Sequence, residues 1–143
     1  MSGLLVLPSA LVAVALLLFR VAAGGGWLQH GLMKLRGGGW RQTGQWLGSM
    51  NVPPLLAPLV TTLETLGGIF LIVGLLVPIV GFLFLLLMAG IVVMKITKTK
   101  ATFLPKGQGA PSYELDLVYL AIALALVATG AGSVSLDSLL GLY

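Results

Sequence analysis

The chain has 143 residues, of which 58% are hydrophobic and 8% charged, with a mean hydropathy of +1.09. A soluble domain carries roughly a quarter charged residues, so this composition excludes one and leaves an integral membrane protein with room for four spans of about 20 residues and little else. The net charge of +4 comes from basic residues in short loops and one span, which topology requires and which gives no ground for binding nucleic acid. The absence of cysteine and the single histidine exclude thiol chemistry and iron–sulfur ligation and argue against a bis-His haem, so no metal site is expected.

The opening MSGLLVLPSALVAVALLLF has no basic n-region and runs on without a stop, which reads as an uncleaved first span and not a signal peptide. That span is expected over about residues 8–34, starting near Pro8, and is long enough to tilt or emerge. Arg20 lies deep within it, where a charge costs about 2.5 kcal/mol or more and therefore faces protein or a water-filled cavity and has a partner. At about 100° per residue, Arg20, Gly24, Trp27, Gly31 and Lys34 fall on an arc of roughly 80°, with His30 on its shoulder. The run Gly24 to Gly26 weakens the helix and predicts a kink or the close approach of another helix.

Between residues 35 and 54, Trp40, Thr43, Leu47 and Met50 recur at helical spacing with Trp46 nearby, which predicts a short helix in the headgroup region. A second span, 55–77, contains one acid, Glu64, followed by Gly67-Gly68. A tight turn near Pro78 leads to a charge-free third span, 79–95, forming an antiparallel hairpin with the second. After a polar loop with Lys95, Lys98, Lys100 and Lys106, the fourth span, 115–132, opens on Glu114 and Asp116, acids that suit the first turn of a helix. The expected fold is an all-α membrane protein, a single domain of four transmembrane helices in an antiparallel bundle. Seven of the eight basic residues fall in loops 35–54 and 95–114 or at their edges, so both loops are expected to be cytoplasmic and both termini outside.

Counting about 1.5 Å per residue from the span ends places Arg20 and Glu64 both at middle depth, and predicts a buried ion pair between spans one and two. Arg20, Trp27, His30, Lys34 and Glu64 also form a donor set suited to a quinone headgroup, which needs a hydrogen-bond donor for each carbonyl and a proton source on reduction. Glu64 is the candidate proton carrier. No side chain here passes electrons over distance, so a partner subunit or bound donor is expected to supply them.

Arg20, Gly24, His30-Gly31 and Lys34, the second-span acid Glu64 with its glycines, Glu114, and the ending Gly130 to Asp137 together resemble the DoxX family of small membrane proteins. The ending departs from the family's Gly-Pro-Gly-basic-x-Ser-x-Asp pattern at Ala131 and Ser133, which counts against an anion-binding role there. The resemblance implies a four-helix bundle associated with membrane redox chemistry; relatives have been placed with a quinol oxidase, with thiosulfate-to-quinone electron transfer and with redox-protective complexes. The expected function is a small subunit, in the lipid bilayer among other membrane subunits, that stabilises a respiratory or other quinone-linked complex and contributes a quinone or substrate pocket. A stand-alone oxidoreductase component, thiosulfate- or thiol-linked, is the alternative. A transporter or proton channel ranks last, because there is one intramembrane acid and no internal repeat.

Overall fold

The computed structural model describes residues 8–142, so the reading of residues 1–7 as the lead into span one lies outside the described residues. Helix α1 (Ser9–Leu35) is followed by a 3₁₀ turn (Arg36–Gly38) and helix α2 (Gly39–Ser49). Helix α3 (Leu56–Val73) leads through a left-handed turn at Gly74 and Leu76 into α4 (Val77–Lys98). Helix α5 (Glu114–Thr129) and the single turn α6 (Leu136–Leu139) complete the chain. The described residues contain no β-strand, only an isolated bridge between Thr102 and Ser112 in the polar loop.

Among the described residues, three segments are long and apolar enough to cross a membrane: Ser9–Ser49, which takes in α1, the turn at Gly37 and α2, then Leu56–Val73 and Val77–Lys98. The chain is thus a multi-pass membrane protein. Helix α5 has 16 residues and falls short of that length. The exposed surface is rich in large apolar side chains, among them Leu18, Leu59, Leu66, Phe82 and Leu124, as a surface facing lipid requires. Where such a surface meets lipid, helices associate through close packing and polar contacts instead of hydrophobic burial.

Helix α1 packs along α3, and α4 along α5. The α1–α3 contact is a backbone approach: a Cβ on Gly24 would stand 2.6 Å from the Gly68 carbonyl oxygen, and one on Gly68 would stand 2.8 Å from that of Gly24. The glycine run therefore provides the close approach expected of it, whereas the kink is absent, since α1 is continuous from Ser9 to Leu35. The π-helical turn Leu63–Gly67 interrupts α3 opposite Gly31 and carries Glu64. The two helix pairs meet at Trp27, whose ring stacks on Phe84 of α4 (centroids 3.9 Å apart, planes at 13°) and lies 5.2 Å from the Tyr119 ring of α5. The predicted short helix after span one is present as α2, and it packs on α3 and α1.

Candidate functional site

The polar residues of the interior sort into two centres, one level with the turn between α3 and α4 and the other level with the last turn of α1. At one end, Arg20, 2% exposed, donates from Nε to the Leu71 carbonyl (3.0 Å), from one terminal nitrogen to Ala131 O, and from the other to Val134 O (2.8 Å). All three acceptors are main-chain carbonyls, one in the last turn of α3, where Leu71 O also accepts from Gly74 N at 3.2 Å, and two where the chain turns after α5. The same turn is tied down by Asp137, 1% exposed, whose carboxylate accepts from Leu76 N (2.7 Å) and Val77 N (3.0 Å), capping the start of α4. Asp137 N in turn donates to Gly74 O at 2.9 Å. Gly74 sits at φ +74°, and a Cβ there would meet the Arg20 guanidinium carbon at 2.8 Å. Residues 130–137 thus form a socket for Arg20.

The expected Arg20–Glu64 pair is overturned by this geometry. In the antiparallel register set by the glycines, Glu64 comes opposite the last turn of α1, and the Lys34 ammonium donates to both of its oxygens at 2.6 and 2.5 Å. The expectation aligned the middles of the two spans, whereas α3 packs on the second half of α1, Gly68 against Gly24 and Thr65 against Gly31. Arg20, about four turns of α1 before Lys34, finds carbonyls instead of a carboxylate, and Asp137 is the acid nearest its environment.

At the other end lies the second centre. A cleft of about 910 Å³ opens between the helix pairs, lined by Trp27, His30, Lys34 and Glu64 on the α1–α3 side. Most of the remaining wall is aliphatic, from residues 86–94 of α4, with Trp46 and Leu47 of α2 across one side. Lys34 is 23% exposed and Glu64 5%, so the pair is half-shielded, with its acid the more buried partner. His30 is exposed and meets Tyr119 edge-on at 5.9 Å. Trp27 is 1% exposed, and its indole N–H has no partner among the described residues.

Four of the five residues singled out from the sequence therefore share one cleft, and Arg20 stands apart from it. Tyr119 and the ion pair Lys95–Asp116 (2.6 Å) also line the cleft and were missed. Lys95 reads in sequence as a loop charge and Asp116 as a helix-dipole acid; each role is locally sufficient, so nothing in the sequence signals that they meet. Asp137 was visible only as part of the family-like ending. Glu114, singled out by the same resemblance, is exposed at the start of α5.

The DoxX family profile matches residues 15–96, more than half of the chain. The chain belongs to the DoxX family. It is also 32% identical over 124 residues, 87% of this chain and 85% of the relative, to the Bacillus subtilis (strain 168) protein named Putative oxidoreductase CatD. No solved structure matches the chain significantly. The DoxX match covers Arg20, the cleft residues of α1 and α3, and Lys95, whereas the Arg20 socket and Asp116 lie beyond it.

Proposed function

We propose that this DoxX protein crosses the membrane four times as an antiparallel bundle and serves as a small subunit of a quinone-linked electron-transfer complex, with a quinone-type ring held in the cleft beside Trp27, His30, Lys34 and Glu64. The cleft carries the proposal. Its volume of about 910 Å³ lies in the range of small-molecule sites, about 300–1,000 Å³, and its walls are mainly apolar with a few convergent polar groups. The relative's name, an oxidoreductase, supports the redox association. Helix α5, 16 residues or about 24 Å long, serves as the fourth span, its exposed Val118 and Leu124 turned to lipid.

The residues present fit such a ring. A bound quinone would supply the two-electron, two-proton redox couple. Lys34 and His30 offer N–H donors to a carbonyl, the aliphatic α4 wall excludes water, and Glu64, beside Lys34, holds a carboxylate where a proton can be taken up or released. With no cysteine and one histidine, the side chains provide no chain of redox centres, which assigns the electron donor to a partner. Purification in mild detergent followed by solvent extraction tests the reading: a quinone is expected in the extract, and His30→Ala is expected to lower both its occupancy and the activity of the host complex. An extract without any ring compound, together with unchanged activity in His30→Ala, would leave the cleft a packing defect. Quinone reduction by the isolated chain with thiosulfate or a thiol would instead establish a stand-alone oxidoreductase.

A further inference from the structure

The cleft has a second polar wall. Lys34–Glu64 bridges α1 to α3, while Lys95–Asp116 bridges α4 to α5, and the cleft lies between these two helix pairs with both bridges in its lining. The two ammonium groups are in the same chemical condition. An ammonium has three N–H donors. Lys34 uses two on the Glu64 oxygens; Lys95 uses two, on Asp116 Oδ2 at 2.6 Å and the Ser112 carbonyl at 3.1 Å. One donor on each remains uncommitted among the described residues, and both side chains keep about a quarter of their surface open, 23% and 26%. Each carboxylate holds its lysine at the wall, and the aliphatic residues of α4 fill the surface near Lys95.

From this arrangement we infer that Lys95–Asp116 is a second binding pole of the cleft, and that its ligand is a flat ring bearing two separated acceptors, one met by Lys34 and the other by Lys95. The inference rests on the quinone reading and sharpens it: a ring with a single carbonyl satisfies one wall and leaves the other ammonium donor facing an apolar surface. A hydrogen bond to a charged donor is worth about 1.5–3 kcal/mol, so loss of one acceptor weakens binding at least about tenfold. Bound in this way, the ligand also ties one helix pair to the other.

The test uses the purified full chain in detergent, with 1,4-naphthoquinone as the two-acceptor probe and 1-tetralone, a fused ring of the same size with one carbonyl, as its competitor. Binding of the dione is read by quenching of tryptophan fluorescence, since Trp46 and Trp27 line the cleft, and tetralone by displacement of the dione. The chain has no thiol for the dione to alkylate. The dione is expected to bind about tenfold more tightly than tetralone. Replacing both partners, Lys95→Met with Asp116→Asn, removes the pole without leaving a lone charge; it is expected to abolish the preference and to change tetralone affinity by less than about twofold. Saturable dione binding without preference, or a preference that survives the double replacement, overturns the second pole while the quinone reading stands. If neither probe binds saturably, both readings fall.

Discussion

Lys34 and Arg20 show how differently a cation inside the bundle can be accommodated. Lys34 is matched by a carboxylate, and Glu64 is 4% exposed, so removing the lysine strands a charge. Lys34→Met is expected to cost about 3–5 kcal/mol, and the double change Lys34→Met with Glu64→Gln to recover most of it. Thermal unfolding in detergent measures both. Arg20 spreads its guanidinium over three carbonyls from two segments of chain, a fork that an ammonium cannot span. Arg20→Lys is therefore expected to destabilise nearly as much as Arg20→Gln. Because Arg20 and Glu64 have no partner in common, the losses from Arg20→Gln and Glu64→Gln should add to within about 0.5 kcal/mol, and a rescue in the double variant would restore the pairing that this geometry rejects.

Helix α1 owes its contact with α3 to glycine at the crossing. A methyl group on Gly24 would lie 2.6 Å from a backbone oxygen that has no rotamer to escape into, so Gly24→Ala is expected to push the helices apart and cost about 1–3 kcal/mol. Gly25, where a Cβ meets nothing within 4 Å, is the control: Gly25→Ala should be neutral or stabilising in the same thermal unfolding measurement. These helices were legible in the sequence because hydropathy and the stripe Arg20, Gly24, Trp27, Gly31 and Lys34 act over whole turns: Gly24, Trp27 and Gly31 are buried along with Arg20, and Lys34 lies at their edge. The partners were not legible. Which acid meets Lys34 depends on an antiparallel register set by Gly24 against Gly68 and on a π turn at Glu64, and about four turns of α1 separate the Lys34 solution from the expected Arg20 one. The cleft was half legible for the same reason: its α1 and α3 wall lies along one stripe, whereas Tyr119, Lys95 and Asp116 come to it from helices with no polar stripe of their own.

Across the whole molecule, the ends of α1 and α4 that carry Lys34, Lys95 and Lys98 lie on the cleft side, and the Arg20 socket lies on the other. If the basic loops are cytoplasmic, as the positive-inside rule expects, the cleft opens near the cytoplasmic face. A reporter fused after Leu142 is then expected to be active only outside the cytoplasm, and a cytoplasmic signal would reverse the orientation. The socket also links distant stages of synthesis. Arg20 leaves the ribosome 111 positions before its Ala131 acceptor, so throughout that interval an intramembrane cation waits without two of its three acceptors. A chain halted after Thr129 carries every long helix and still displays that charge, which makes Arg20 a built-in mark of incompleteness. Only the arrival of residues 131–137 supplies the missing carbonyls.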